Sequence, residues 1–161
     1  MKIINYSTEV RVYKGFSELS HDVVSLLKAA RVGAQNAYAP YSHFKVGAAI
    51  LLNNGEIIIG NNQENAAYPS GLCAERTALF YANAQFSEQA VDAIAIAAYS
   101  NGDFTEKPIS PCGACRQVIL EAQNRYKQPI RIYLYGKKEI YIIEKITDIL
   151  PLSFSGDSLN V

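Results

Sequence analysis

Cys73, Cys112 and Cys115 are the only cysteines in the chain, and any use of the three thiols together requires two distant segments to meet at one point. An odd, low count cannot close a complete disulfide framework within one chain and suits a reducing compartment where thiolates are kept for metal. Three thiolates, two of them in a Cys-x-x-Cys pair, are a ligand set that zinc favours. A structural zinc site closes its tetrahedron with four protein ligands, whereas a catalytic site holds three and leaves a corner for water. Glu75 lies two residues after Cys73, close enough to serve such a water without ligating the ion. Standing alone, Glu75 reads as a solvated first-turn carboxylate and Cys-x-x-Cys as a redox or buried pair. The combination of all four residues favours a catalytic metal centre.

With 161 residues and 49% hydrophobic content, the chain is sized for one domain with a substantial core, since about 150 residues make a domain. Fifteen basic residues against fifteen acidic ones leave no formal net charge. That is not the electrostatic footprint of a protein that follows a phosphate backbone, so free small molecules are the expected substrates and nucleic acid is not an expected partner. The opening residues soon meet Glu9 and Arg11, leaving no apolar run of signal-peptide length and nothing near the ~20 residues of a membrane span. A cytoplasmic location without a membrane partner is expected.

Hydrophobic periodicity and turn residues order the chain. Residues 1–19 alternate only weakly through Val10, Val12 and Tyr13, a pattern fit for an extra edge strand or an arm on a neighbouring subunit. Apolar residues from Val23 to Ala34 recur at helical spacing, with Ser20 as N-cap and Pro40 beyond the end, and predict a helix over 21–37. An apolar run over 44–52, the turn Asn53-Asn54-Gly55 and the isoleucines of 56–60 predict a β-hairpin. Residues 61–72 read as a loop rich in Asn, Pro, Ser and Gly; 73–84 and 112–126 read as helices, and 91–99, 130–135 and 140–143 as strands. The link between the last two strands is too short for a helical crossover, so the final strand returns antiparallel. The sum is an α/β fold: one five-stranded mixed sheet with helices on its faces.

Both cysteine segments fall at helix beginnings. There the unpaired N–H groups and the positive end of the helix dipole favour thiolate over thiol, and a three-residue spacing puts Cys112 and Cys115 on one helical face. Three thiolates on a divalent ion leave a charge of minus one, which blunts its Lewis acidity, so a cationic donor to sulfur is expected. Arg76 is read in that role; Arg116 reads equally well as such a donor or as an ordinary helical arginine. His43, in a Pro40-Tyr41-Ser42 loop before a strand, is read as a surface or locally bonded histidine. As a fourth ligand it would close the site and end the catalytic reading.

Longer motifs surround these residues: YAPYSHFKVGAA (Tyr38 to Ala49), NQENAAYPSGLCAERTA (Asn62 to Ala78), SPCGACRQV (Ser110 to Val118) and ILPLSFSGDSL (Ile149 to Leu159). With these in order from about Ala37 to Leu159, the chain closely resembles the homotetrameric, zinc-dependent cytidine deaminases of pyrimidine salvage. The resemblance implies a three-layer α/β/α fold of the cytidine-deaminase kind over one domain, 1–161. It implies one zinc per subunit on Cys73, Cys112 and Cys115, with Glu75 as proton shuttle. It further assigns the ribose 3′-hydroxyl to Asn62 and Glu64, packing against the nucleoside to Phe44, the base carbonyl to the Ala74 N–H, and the amino group to the Ser110 carbonyl. Arg76 and Gln117 would donate to the sulfurs, and Phe154 would reach a neighbouring subunit's site in a homotetramer. Read without the motifs, Phe44 and Phe154 are core aromatics and Asn62 and Glu64 loop-capping groups. Two departures stand out: Gln63 replaces a usual aliphatic residue, and residues 1–19 lie outside the match.

The reaction implied is hydrolytic deamination of cytidine and deoxycytidine to the uridines with release of ammonia, zinc activating the water and Glu75 moving protons. A deaminase of another cytosine nucleoside, of the blasticidin type, is the enzymatic alternative, although Asn62 to Asn65 suits an ordinary ribose. A nucleic-acid-editing deaminase is disfavoured by the neutral charge and the short turn at Gly136 to Lys138. A non-catalytic binding module stapled by zinc would need a fourth protein ligand.

Overall fold

The computed structural model describes residues 1–159. In chain order the elements are β1 (Arg11–Tyr13), α1 (His21–Gln35), β2 (Lys45–Leu52), β3 (Ile57–Asn61), α2 (Ala74–Gln85), β4 (Val91–Ser100), β5 (Asp103–Phe104), α3 (Gly113–Tyr126), β6 (Arg131–Tyr135) and β7 (Ile140–Ile143). They build a sheet in the order β1-β7-β6-β4-β2-β3, with β5 attached to β4. Only β4 and β6 run parallel. Parallel neighbours need a crossover, and α3 is that crossover, while β7 returns antiparallel beside β6 as its short turn requires.

Period-2 alternation gives the two faces of the sheet different chemistry. Ile50, Leu52, Ile94 and Ile96 point to one face, where they pack with Leu79 of α2 and Ile119 and Leu120 of α3. Each such fully buried side chain contributes roughly 1.5–3 kcal/mol. The other face presents Ala49, Ala93, Ala95 and Ala97 to Leu26, Leu27, Ala30 and Ala34 of α1. Small residues let α1 sit close: a Cβ on Gly47 of β2 would lie 2.0 Å from the Ala30 carbonyl oxygen. The layers are therefore α1, the sheet, and α2 with α3, the α/β/α arrangement expected.

The sheet has seven strands, not five. β1, three residues long, pairs with β7 at the edge, so of the two readings of residues 1–19 this segment takes the edge strand. β5 follows a two-residue turn, Asn101-Gly102, in which both φ angles are positive, the geometry that favours a tight hairpin. The weak alternation at Val12 and Tyr13 marks β1 only as one of two readings, and the two residues of β5 carry no readable alternation. The helices also begin one residue later than expected, because Cys73 and Cys112 adopt the extended N-cap backbone. The first helix ends at Gln35, with Asn36 as its C-cap.

Candidate metal centre and active site

The N-termini of α2 and α3 open at one place. Cys73 and Cys112 are their N-cap residues, and neither side chain caps a backbone N–H of its own helix, which leaves both sulfurs free to point past the helix ends. Cys115, on the first turn of α3, is fully buried. The three Sγ atoms lie within 4.8 Å of one another, and those of Cys73 and Cys112 are 4.0 Å apart. A tetrahedron with Zn–S bonds of ~2.3 Å has edges of roughly 3.8 Å, so the three sulfurs fit a single zinc ion. His43 is exposed and is no member of this group.

The charge pattern suits a metal site. The Arg76 guanidinium donates to Cys73 Sγ at 3.6 Å. Without metal, the Cys73 thiol is brought down to about 5, first by the hydrogen bond from Cys115 and then by Arg76. Cys115, the donor in that pair, is pushed up, and its burial adds to the effect. Among the described residues Glu75 is the one buried charged side chain, 4% exposed. Burial raises its carboxyl above the ordinary range, and the neighbouring Cys73 charge adds to that.

Two connected hollows meet at this centre. The inner one, about 200 Å³, is lined by Asn62, Cys73, Ala74, Glu75, Ser110 and Cys112, with Val46, Ile96 and Ile109 as apolar walls. The outer cleft, about 470 Å³, shares Asn62 and Cys73 with it and adds Glu64, Arg76, Tyr41 and Tyr68. The two tyrosine rings pack edge to face at 6.2 Å. Asn62 also ties the rim together, since its side chain accepts from the Val46 N–H at 2.7 Å and donates to the Phe44 carbonyl at 3.0 Å. Glu64 accepts from the Ser42 hydroxyl and from the Tyr41 and Ser42 amides. The Ser42 bond above all keeps its carboxylate below the usual range.

Several expected positions differ. Gln117 does not reach a sulfur; its Nε2 donates to the Phe154 carbonyl at 2.9 Å, because the C-terminal segment lies within its reach. Arg116 does not donate to sulfur either. It donates to the carbonyls of Pro111 at 2.9 Å and Ile149 at 2.7 Å, and so holds the loop before Cys112 to the C-terminal segment. Phe44 is half-buried and Phe154 59% exposed, and neither lines the inner hollow or the outer cleft of its own chain. Gln63 bonds Asn61 at the rim of the outer cleft. Tyr41, Tyr68, Val46, Ile96 and Ile109 were not foreseen as lining residues. The two tyrosines and Val46 stand inside the long motifs, which was the available signal, whereas Ile96 and Ile109 look like any core residue.

Three sulfurs and one buried carboxylate at the mouths of two helices, on an α/β/α sheet, define a zinc-dependent hydrolase. Residues 21–128 match the model of the cytidine and deoxycytidylate deaminase zinc-binding region. The chain is 42% identical over 136 residues to the cytidine deaminase of Halalkalibacterium halodurans, covering 84% of this chain and 96% of that one. It is 40% identical to the cytidine deaminase of Sporosarcina psychrophila, with coverages of 86% and 96%. The crystal structure of cytidine deaminase from Burkholderia pseudomallei superposes with a TM-score of 0.70 at 39% identity, over 84% of this chain and all of that one. This chain belongs to the zinc-binding cytidine and deoxycytidylate deaminase family.

Proposed function

We propose that the chain hydrolyses cytidine and deoxycytidine to uridine and deoxyuridine, releasing ammonia. The observation that carries this reading is that Cys73, Glu75, Asn62 and Ser110 all face one hollow of about 200 Å³, room for a pyrimidine ring beside a metal centre. Zinc, held by Cys73, Cys112 and Cys115, supplies an electrophilic centre that makes water acidic near neutral pH. Glu75 takes the proton of the attacking water and gives it to N3 of the base, which makes C4 electrophilic. As the C4–N bond of the tetrahedral adduct breaks, Glu75 carries the second proton from the new hydroxyl to the leaving amine, so ammonia departs and a C4 carbonyl remains. Ser110 offers its carbonyl to the amino group, the first residue of α2, Ala74, offers its unpaired N–H to the base carbonyl, and Val46, Ile96 and Ile109 keep the ring in an apolar slot. Asn62 and Glu64 hold the ribose, with Phe44 packing beside it, and Arg76 offsets the thiolate charge.

The same reading takes 1–161 as one deaminase domain with 1–19 as an added arm, acting in the cytoplasm in pyrimidine salvage. It takes the active form as a homotetramer in which Phe154 completes the outer cleft of a neighbouring copy. What supports this is that Phe154 is exposed and lines neither the inner hollow nor the outer cleft of its own chain, while Tyr68 at the cleft is 77% exposed. Loss of cytidine absorbance, followed with and without a zinc chelator, tests the activity: zinc-dependent turnover is expected, and an enzyme inert towards cytidine refutes the proposal. A Phe154→Ala chain mixed with an inactive wild-type-Phe154 chain, Glu75→Gln, should regain activity if sites are shared.

A further inference from the structure

Loop 105–112, which carries Ile109 and Ser110 into the inner hollow and ends on Cys112, is fastened at two separate places. Its far end is held by Arg116, whose guanidinium takes the Pro111 carbonyl. Its near end rests on the turn between β6 and β7. There the Lys137 amide donates to the Thr105 carbonyl at 2.9 Å and the Lys138 amide to the Glu106 carbonyl at 3.0 Å. Lys137 pairs with Asp103, and Lys138 with Glu106 at 2.8 Å. Both pairs are solvent-exposed, and such pairs contribute little; the backbone bonds and the close approach of Gly136 do the holding. A Cβ on Gly136 would lie 2.7 Å from Glu106 O, Lys107 C and Pro108 N, so the turn backbone lies directly against the loop backbone.

We propose that the β6–β7 turn, through Gly136, is a ledge that positions the Ile109–Ser110 wall of the pocket independently of the metal ligands. Gly136 is a positioning residue that acts through Ser110 and Ile109. The independence follows from the second fastening: the bond from Arg116 to the Pro111 carbonyl lies between the ledge and Cys112, while Cys73 is the N-cap of α2 and Cys115 rides on α3. This rests on reading the inner hollow as the base pocket.

Gly136→Ala tests it. Ordinary contact begins near 3.4 Å and the added methyl would lie at 2.7 Å, so the loop must retreat by roughly the difference, 0.7 Å. A misplacement of about 1 Å costs about a hundredfold in rate, so kcat/KM for cytidine is expected to fall about ten- to a hundredfold with zinc per chain unchanged. Exchange of the Lys137 and Lys138 amides, which hold the loop carbonyls, should quicken while that of α3 does not. Pro108→Gly loosens the same span without a clash and should move the same readouts in the same direction, which covers a Gly136→Ala chain that fails to fold. Unchanged exchange and kcat/KM in the folded variants, or zinc lost together with activity, overturns the proposal. A wild-type chain inert towards cytidine would refute the deaminase reading instead, and the exchange at Lys137 and Lys138 would still decide the ledge.

Discussion

Gly60→Ala should move the metal centre without touching a metal ligand or Glu75. Gly60 lies in β3 under the first turn of α2, and a methyl there would sit 2.5 Å from Ala78 N, 2.7 Å from the Ala74 carbonyl oxygen and 2.8 Å from Ala78 Cβ. Ordinary contact begins near 3.4 Å, so relief takes roughly 0.7–0.9 Å, the differences from the two backbone contacts. β3 is bonded along β2, with Gly60 opposite Ala48, so the helix yields before the strand does. The turn that yields carries Cys73 and Glu75, while Cys112 and Cys115 belong to α3 and stay. The sulfur triangle is thus distorted along one edge and the carboxylate is carried off with it. A shift near 1 Å costs about a hundredfold in rate. Overpacking costs about 1–3 kcal/mol, or about 2–12 °C in Tm for a chain of this size. Zinc per chain, Tm and kcat/KM for cytidine on the purified variant check this, with all three expected to fall. Ala78→Gly added to the variant removes one of three contacts and should rescue little. A Gly60→Ala chain with wild-type zinc content and kcat/KM refutes the reasoning.

Glu75→Gln keeps the side-chain volume but cannot shuttle protons; kcat should drop by about 10²–10⁴ with zinc content intact by metal analysis, and near-normal turnover would remove the role. Stripping zinc unties the ends of α2 and α3. Metal present at 100 times its Kd contributes about 2.7 kcal/mol, so the chelated protein should melt about 5–11 °C lower, and identical melting curves would mean the sulfurs hold no ion. The Ser42 hydroxyl, with the Tyr41 and Ser42 amides, holds the Glu64 carboxyl below its ordinary range. A depressed carboxyl stabilises the fold above its unfolded value near 4.3, and that contribution is lost as pH falls through the folded value. In Ser42→Ala the folded value rises, so the Tyr41 and Ser42 amides should exchange faster than in wild type between about pH 3 and 5, and matching profiles would contradict the assignment.

How far each part of the site could be read from sequence depended on what positions it. The metal ligands were accessible because each segment's contribution is local: the three-residue spacing of Cys112 and Cys115 and the start of each helical pattern bring sulfurs to helix mouths, and only the meeting of the two mouths, 39 residues apart, is long-range. β1 was legible only as one of two readings of a weak alternation and β5 not at all, because three and two residues are too few to settle a strand, and their existence depends on the free edge of β7 and the turn at Asn101-Gly102. Arg116 and Gln117 show the same limit at the side-chain level. Both stand beside Cys115 at positions from which a donor can turn to sulfur or away. What turns them away is the C-terminal segment, whose Ile149 and Phe154 carbonyls lie 33 and 37 residues along the chain. That segment therefore bears on both sides of the site: through Arg116 it braces the loop that ends on Cys112, and it carries Phe154 outward on a backbone tethered by Gln117. If Phe154 serves a neighbouring copy, then assembly and the bracing of the metal-ligand loop share one strip of chain, and loosening residues 149–154 should weaken both together.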